Sequence, residues 1–260
     1  MNKILLTIAA ILIFHGSLPE QEPSFGAGEW FRFKMSYSGF LKAGNATLSV
    51  RDHTFNGKEV YHIQGKGWTT GAIKWFFKVK DRYESYIDKV TGAPYKFIRD
   101  IDEGGHTKKI EIEFDHDNNK AYVHNKKRNT KKVITTRSNI HDMVSTYYYL
   151  RNNINIDSLK IGDEVSVNMF FDEENYGFKL KYLGEELIST QFGKVHTLKF
   201  RPYVMAGRVF KEEESLTLWV SNDKNKIPLR IKADLAVGSL RADLDAFKGL
   251  KHPFNIYIDN

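Results

Sequence analysis

Regular alternation of apolar and polar residues is the feature of this chain that most restricts its fold. Near the start, Phe31, Phe33 and Met35 alternate with charged or small polar residues. Successive side chains of a β-strand point to opposite faces of its sheet, so this alternation predicts a strand with one apolar face. The same pattern recurs at residues 46–50, 110–114, 176–182 and 227–235. The chain is therefore predicted to be mainly β.

Residues that favour tight turns separate these alternating segments. Asn56-Gly57 and Glu103-Gly104-Gly105 are typical of hairpin connections, because glycine and asparagine adopt positive φ angles at low cost. Further turn signals occur at residues 40–44, 91–94, 117–119 and 222–225. The runs between these signals predict about fourteen strands, joined mainly by antiparallel hairpins.

Many antiparallel hairpins favour curved sheets, because long flat sheet edges promote aggregation. We therefore predict curved antiparallel sheets that form a soluble barrel, half-barrel or sandwich. A transmembrane barrel is disfavoured, since its lipid-facing side chains would have to be apolar. The β-rich domain is expected to span residues 25–260, either as one unit or as two packed halves divided near residues 140–151.

One segment has helical rather than strand spacing. Its apolar residues recur three and four positions apart, which predicts an amphipathic helix over residues 140–151. The apolar stripe consists of Ile140, Met143, Val144, Tyr147 and Tyr148. Asn139 is predicted as the N-cap, with Asp142 as its partner three residues later. We expect the stripe to pack on a sheet or to close an open end.

The first 24 residues have the pattern of a secretory leader. Lys3 precedes an uncharged run over residues 4–14, and a polar stretch follows. This run is shorter than the roughly 20 apolar residues that span a bilayer, so residues 1–24 are predicted to be a Sec signal peptide and polar leader. The alternatives are a buried N-terminal helix and a short membrane anchor.

The chain contains no cysteine, which excludes disulfides and the acylated cysteine of bacterial lipoproteins. With a leader, these features predict a periplasmic protein that is soluble or peripherally attached to a membrane. The formal net charge is +7. In that compartment a basic protein meets lipid phosphates, lipopolysaccharide or acidic glycans, and no nucleic-acid partner is predicted.

Basic residues are concentrated on one predicted hairpin tip. The cluster contains Lys126, Lys127, Arg128, Lys131 and Lys132. Crowding like charges is unfavourable unless an anion lies near. The tip is either a solvated turn or a contact site for an anion, a membrane surface or an envelope protein.

Aromatic residues suggest a second candidate site. Trp68, Trp75 and Phe77 adjoin a glycine-rich run, and Tyr147 and Tyr148 lie on the predicted helix. These rings either pack in a large β core or line the mouth of a pocket for a hydrophobic ligand.

No catalytic or metal-binding motif is apparent. His141 and Asp142 are adjacent, and adjacent residues of a helix project about 100° apart, so they do not form a base and its orienting partner. There is no Gly-x-Ser-x-Gly motif. The segment at 115–126 lacks the glycine and final glutamate of a calcium loop. Acidic runs at 172–174 and 212–214 are more typical of solvated faces than of paired catalytic carboxylates. We therefore predict no catalytic residues, metal or cofactor.

Four stretches, in this order, resemble the DUF3108 family of exported bacterial envelope proteins of undetermined function. They are "GEWFRFKMSYSGFLKAGNATLSV" from Gly28, "DRYESYIDKVTGAPYKFIRDIDEGG" from Asp81, "IHDMVSTYYYLR" from Ile140 and "LWVSNDKNKIPLRIKADLAVGSLRADL" from Leu218. The resemblance implies a β-rich envelope protein with no established enzyme activity and no catalytic residues to carry over.

The leading functional hypothesis is a non-enzymatic periplasmic protein that binds or carries a hydrophobic or anionic ligand, such as a lipid or a lipid-linked glycan. The alternative is an envelope assembly protein that binds another protein. A hydrolase acting on glycan or lipid ranks third, since it would need polar residues that converge in a pocket.

Overall fold

The computed structural model describes residues 22–203, 216–235 and 237–257. Residues 1–21 of the predicted leader and the acidic run at 212–214 lie outside the described residues. The helices are α1 (Ile73–Phe76) and α2 (Met143–Asn153), and a short 3-10 turn spans Ile156–Ser158. The strands are β1 (Trp30–Tyr37), β2 (Leu41–Phe55), β3 (Lys58–Thr69), β4 (Val79–Asp88), β5 (Pro94–Glu103), β6 (His106–Asp115), β7 (Lys120–Asn125), β8 (Thr130–Thr135), β9 (Glu164–Phe171), β10 (Glu174–Thr190), β11 (Gly193–Tyr203), β12 (Leu216–Ser221), β13 (Pro228–Asp234) and β14 (Ser239–Lys248).

All fourteen described strands belong to one antiparallel sheet. Its order is β8-β7-β6-β5-β4-β3-β2-β1-β14-β13-β12-β11-β10-β9. Strands that are consecutive in the chain are therefore neighbours in the sheet, except for β8 and β9, which lie at opposite edges. The pairing of β1 with β14 joins the two halves. The prediction of a mainly β fold built from antiparallel hairpins is confirmed. The predicted turn at 40–44 lies slightly earlier, at residues 38–40, because β2 already begins at Leu41.

Because every hairpin reverses the chain, the strand connections fall at two ends of the sheet. We call these ends rim A and rim B. Tyr37 at the end of β1 pairs with Leu240 at the start of β14, so their adjoining connections share an end. Rim A contains residues 38–40, 70–78, 104–105, 126–129 and 172–173, together with 235 and 237–238. Rim B contains residues 56–57, 89–93, 116–119, 191–192 and 222–227.

The sheet is curved, and its edge strands β8 and β9 are not paired with each other. The segment that follows β8 instead lies along β9 and β10. The backbone N–H of His141 donates to the carbonyl of Asn168 at 2.8 Å, and that of Phe170 donates to the carbonyl of His141 at 2.7 Å. The side chain of Asn175 donates to the carbonyl of Thr135 at 2.9 Å. These bonds connect the two edges, giving a barrel-like fold that is not closed by strand pairing.

Helix α2 begins three residues later than predicted. Residues 140–142 are extended instead, because His141 forms a parallel bridge with Met169 of β9. The N-cap is Asp142 rather than Asn139, and its carboxylate accepts from the backbone N–H of Val144 at 2.8 Å and of Ser145 at 2.9 Å. The hydroxyl of Ser145 completes a capping box. The helix ends at Asn153 rather than at 151.

The buried apolar residues form three clusters. The first lies between β2–β7 and helix α2, and includes Ile63, Phe97 and Ile112. A second is built around β1, β13 and β14, and a third lies between the C-terminal half of α2 and β9–β12. Alternation therefore identified the inward faces of β1, β2, β6 and β10, whereas on β13 Ile231 of the predicted apolar face is 37% exposed. No helix in the described part of the chain combines the length and apolar character needed to cross a membrane.

Candidate ligand-binding site

A cavity of about 700 Å³ lies between helix α2 and the inner face of strands β9–β12. Its apolar lining consists of Met143, Leu150, Ile154, Ile156, Met169, Phe171, Phe178, Leu180, Leu198, Phe200, Pro202, Leu216, Leu218 and Val220. The remaining lining residues carry polar groups and are Tyr83, Arg99, Glu103, Thr146, Tyr147, Arg151, Tyr176, Tyr203 and Lys226. The arrangement is typical of a site for a hydrophobic ligand.

The walls are apolar because, on each of the neighbouring strands, the apolar residues of the alternating pattern point to the inner face of the sheet. Phe178 and Leu180 lie two residues apart on β10, as do Leu198 and Phe200 on β11. Helix α2 contributes Leu150 from the opposite side. These side chains also belong to the third core cluster, so the cavity lies beside a packed apolar wall.

The outer end of the cavity lies near rim A and contains Arg99 and Glu103 of β5. The guanidinium of Arg99 donates to the Asp172 carboxylate at 2.6 Å and lies 4.9 Å from the centre of the Phe171 ring. Burial, together with the nearby charge of Glu103, raises the pKa of Asp81 to about 6. At this end, the charge of Arg99 is therefore balanced by the Asp172 carboxylate, and the carboxyl groups of Asp81 and Glu103 lie close to each other.

The inner end of the cavity is formed around a buried ion pair. Arg151 of α2 donates to both carboxylate oxygens of Glu29, at 2.7 and 2.8 Å. Its remaining donors reach the carbonyl oxygens of Asn225 and Ser24. Burial opposes the charged guanidinium, but the facing Tyr147 and Glu29 hold the pKa of Arg151 above its usual range. The pair therefore joins the segment before β1, helix α2 and the β12–β13 connection.

Ser24 belongs to this folded unit, one residue before the predicted domain start. It is 1% exposed, and its hydroxyl donates to the carbonyl of Arg151 at 2.8 Å. Its backbone N–H donates to the side chain of Asn152 at 2.8 Å. The segment that leads into β1 therefore satisfies polar groups at the C-terminal end of α2.

Lys226 is a second buried cation at the inner end. It is 9% exposed and lines the cavity, and its ammonium group lies 3.3 Å from the hydroxyl of Ser24. Among the described residues it forms no ion pair, in contrast to Arg99 and Arg151. Burial and the charge of Arg151 lower the pKa of Lys226. The charge of Asp223 acts in the opposite direction but forms no ion pair with Lys226, so an incoming anion would find a cation without a carboxylate contact among the described residues.

The two tyrosines that we predicted as ligand contacts have different surroundings. Tyr147 lines the cavity, and its buried hydroxyl has no hydrogen-bond partner among the described residues. Burial raises the pKa of Tyr147. Tyr148 faces the other way, into the first core cluster, where its ring lies 4.5 Å from that of Phe25. Of these two, only Tyr147 is positioned to touch a ligand in the cavity.

The structure places the predicted aromatic site of Trp68, Trp75 and Phe77 away from the tyrosines. These three residues do not line the cavity and lie at or near rim A. Trp75 is 89% exposed, whereas Phe77 packs its ring against Gly104. Trp68 instead lines a separate cleft of about 570 Å³ together with Gly67 and Lys80, and Trp75 and Phe77 line neither this cleft nor the cavity.

The predicted basic tip is formed by β8 and the β7–β8 connection on rim A. Two of its five cations are paired: Lys126 lies 3.4 Å from Glu111, and Lys132 contacts Glu173. Lys127 bonds to the hydroxyl of Thr107. Arg128 and Lys131 are exposed and form no ion pair among the described residues. This tip therefore lies at the same end of the sheet as Trp75, at rim A.

His141 and Asp142 are both buried, and Asp142 is the N-cap of helix α2. Desolvation lowers the pKa of His141 to about 4, and desolvation raises the pKa of Asp142 to about 6. Asp142 accepts from the hydroxyl of Ser85 at 2.6 Å in addition to capping α2. Within the described ranges, no group of three or more His, Asp or Glu side chains is placed to hold a metal ion.

Glu29, Arg151 and Lys226 are not among the site residues that the sequence pattern predicts. A glutamate immediately before the first strand and an arginine at the end of an apolar helix were the available signals. Neither signal indicates a partner, because the ion pair joins positions 122 residues apart.

Comparison with known proteins gives a family and a fold. The model of a family described as "Protein of unknown function (DUF3108)" matches residues 32–245. No curated protein matches the chain.

Among solved structures, the chain is similar to a β-barrel-like protein of the DUF1849 domain of unknown function from Brucella abortus. The TM-score is 0.56 at 9% identity, over 86% of this chain and 98% of that one. This similarity supports the barrel-like fold alone.

Two further structures have lower scores. A DUF1089 family protein from Pseudomonas aeruginosa has a TM-score of 0.36 at 7% identity, over 74% of this chain and 89% of that one. A "putative lipoprotein" from Parabacteroides distasonis has a TM-score of 0.31 at 12% identity, over 87% of this chain and 97% of that one.

Proposed function

Because the chain belongs to the DUF3108 family, whose function is unknown, its activity has to be inferred from its own geometry, and we propose that it binds and carries a hydrophobic ligand in the periplasm. The ligand is a lipid or another molecule with a single long apolar chain. The site is the cavity between α2 and strands β9–β12.

The observation that carries this proposal is the apolar cavity itself. Its volume of about 700 Å³ lies within the range of roughly 300–1,000 Å³ that is usual for small-molecule sites. The cavity is partly open to solvent, so its exposed apolar walls face water and lack the dispersion contacts of a packed interior. A bound apolar chain would restore those contacts.

The polar inner end favours a ligand with an anionic group. Lys226 is the cavity cation without a carboxylate partner among the described residues, while Arg151 is already neutralised by Glu29. A carboxylate or phosphate that entered the cavity would pair with Lys226 and reach Tyr147, whose hydroxyl is otherwise unsatisfied. A fatty carboxylate combines both requirements.

The periplasmic location is part of the proposal. It is supported by the leader pattern of residues 1–24. A carrier in this compartment would shield an apolar chain from water between membranes.

The test is to purify the full-length protein from its own periplasm and to measure its lipid content. Native mass spectrometry and solvent extraction should detect a stoichiometric apolar ligand. Leu218→Trp places a larger ring in the cavity from a half-buried wall position and should empty it. Leu187→Trp is the matched control, because Leu187 is 49% exposed on β10 and does not line the cavity.

We expect bound lipid in the wild type and in Leu187→Trp, and none in Leu218→Trp. Thermal unfolding should show that all three proteins are folded. Wild-type protein that contains no ligand, and that also fails to take up a fluorescent fatty acid, would reject the proposal. Equal lipid content in the two tryptophan variants would place the ligand outside the cavity.

A further inference from the structure

The connection between β3 and β4 exposes large aromatic side chains to solvent. Trp75 and Phe76 lie on the single-turn helix α1, and each is 89% exposed. No residue of α1 is buried, so these rings do not stabilise the fold. Two fully exposed aromatic rings at the tip of a connection are unfavourable in water, and such exposure usually marks a binding surface.

The apolar surface continues onto the neighbouring connections of rim A. Phe40, between β1 and β2, is 85% exposed, and Val237, between β13 and β14, is 77% exposed. The sheet order places these connections beside that of Trp75, and the hydroxyl of Tyr37 donates to the carbonyl of Val237 at 2.9 Å. Three adjacent connections thus present apolar tips in the same direction.

Cations lie beside these tips. The exposed lysines near the start of β2, the end of β3, α1 and the start of β4 are Lys42, Lys66, Lys74, Lys78 and Lys80. In the described part of the chain, none of the five forms an ion pair, whereas many lysines elsewhere on the sheet do. These lysines lie on one side of the tips, and four of them share a cleft with Asp81, Asp100 and Asp102. Apolar tips beside exposed cations without ion pairs suit a surface whose outer layer is anionic and whose interior is apolar.

We infer that rim A docks on an anionic lipid bilayer, with Trp75 and Phe76 inserted at the level of the headgroups. Tryptophan and phenylalanine favour this interfacial layer, and lysines beside them are attracted to lipid phosphates. A bilayer suits the shape of the surface, since the rings project from a tip and do not line a groove that a protein segment could fill.

Docking in this orientation places the cavity towards the bilayer. Glu103, Phe171 and Tyr203 line the cavity at the rim A ends of β5, β9 and β11. A chain that left the membrane would therefore enter from the docked side. The inference goes beyond the proposed function and does not depend on it, because an empty barrel with the same rim would bind vesicles equally.

The experiment uses the full-length mature protein and vesicles of phosphatidylglycerol mixed with phosphatidylethanolamine. Sedimentation measures binding, and tryptophan fluorescence reports insertion. Trp75 emits together with Trp30, Trp68 and Trp219, so insertion of its ring should appear as a blue shift that the wild type shows on vesicles and W75S/F76S does not. We expect W75S/F76S to bind these vesicles at least about tenfold more weakly than the wild type.

Two controls distinguish aromatic insertion from general damage. W75F/F76W exchanges the rings and should bind like the wild type. V90S removes an apolar side chain that is 90% exposed at rim B and should have no effect on vesicle binding. Because all of these positions are exposed, the variants should share one unfolding temperature.

K74E/K78E tests whether the charge of rim A is required for binding. K120E/K251E is its control, because it changes the net charge by the same amount at exposed lysines at or near rim B. Only K74E/K78E should weaken binding, by about tenfold at low salt. Vesicles of phosphatidylcholine alone should bind weakly in all cases.

Absence of vesicle binding by the wild type, or equal binding by W75S/F76S, would overturn the inference. Capture of an envelope protein through Trp75 without any vesicle binding would also overturn it, and would assign the surface to a protein partner. Lipid content of the purified protein is measured separately, so failure of docking and failure of the carrier proposal are distinguishable.

Discussion

Arg151 and Glu29 form a bidentate ion pair that is almost fully shielded from solvent, with side-chain exposures of 2% and 0%. The guanidinium is also surrounded by the rings of Phe25 and Tyr148, at 5.4 and 5.3 Å. The side-chain hydrogen bonds of Arg151 to Ser24, Glu29 and Asn225 thus join segments that are distant in the sequence. Helix α2 is held over the sheet by this pair as well as by its apolar stripe.

Removing one partner of this pair should destabilise the fold strongly. Arg151→Met leaves the Glu29 carboxylate buried and unpaired, which is expected to cost about 3–5 kcal/mol of unfolding free energy. Glu29→Gln should have a comparable effect. Denaturant unfolding of both variants measures the change.

The double variant E29Q/R151M provides the control for this prediction. Because it removes both charges, it should lose less stability than the sum of the two single changes. Additive losses would contradict the idea that the two side chains act as a pair.

His141 should make the protein sensitive to acid. Burial lowers the pKa of this imidazole to about 4, from 6.5 in an unfolded chain. Between these values the unfolded state binds more protons than the folded state, so stability falls as the pH drops through the window. The loss is at most about 3 kcal/mol.

His141→Phe keeps a ring against Tyr149, whose centre lies 4.5 Å from that of the imidazole, but it does not titrate. Unfolding free energies at pH 7 and pH 4 should therefore show the wild type losing more stability than this variant. If the two proteins lost the same stability between pH 7 and pH 4, folding would not lower the pKa of His141, and the prediction would be wrong.

Asp142 should have the opposite pH dependence. Its pKa is raised to about 6 by burial, from an ordinary value of 3.8, so the folded state binds more protons than the unfolded state between these values. The stabilisation from this carboxyl group is complete below 3.8 and is lost as the pH rises to about 6. Asp142→Asn keeps an oxygen for the helix cap and removes the titration.

The wild type should therefore gain stability relative to Asp142→Asn when the pH is lowered from 7 to 4. A double variant, H141F/D142N, is the matched control, since the opposing contributions of both groups are absent. A stability difference between wild type and Asp142→Asn that does not change with pH would refute the prediction.

Helix α2 begins later in the structure than its apolar spacing predicts. Spacing alone predicted a helix from Ile140, because Ile140 and Met143 continue the apolar stripe. The structure makes Ile140 part of an extended segment that is 1% exposed in the core. The backbone bonds to Asn168 and Phe170 compete with helix formation here, and such long-range pairing leaves no local pattern.

The cavity shows a similar limit. Alternation correctly marked Tyr176, Phe178 and Leu180 as one face of a strand, since each lines the cavity. It could not distinguish a face that packs tightly from one that encloses a void, because both require apolar residues. That difference depends on the curvature of the sheet and on the distance of α2 from β10 and β11.

Lys226 should determine the preference for an anionic ligand. Lys226→Met keeps the apolar stem and removes the ammonium group from the inner end of the cavity. A charge-assisted hydrogen bond contributes about 1.5–3 kcal/mol, so the variant should bind palmitate roughly ten- to a hundredfold more weakly. Its affinity for hexadecanol, which has no charge, should be unchanged.

Displacement of a fluorescent apolar probe measures both affinities in the purified, delipidated protein. Lys224→Met is the matched control, because Lys224 lies in the same connection but is exposed and paired with Glu22 at 3.2 Å. If Lys226→Met weakened both ligands equally, the ammonium group would support the wall of the cavity and would not recognise the anion.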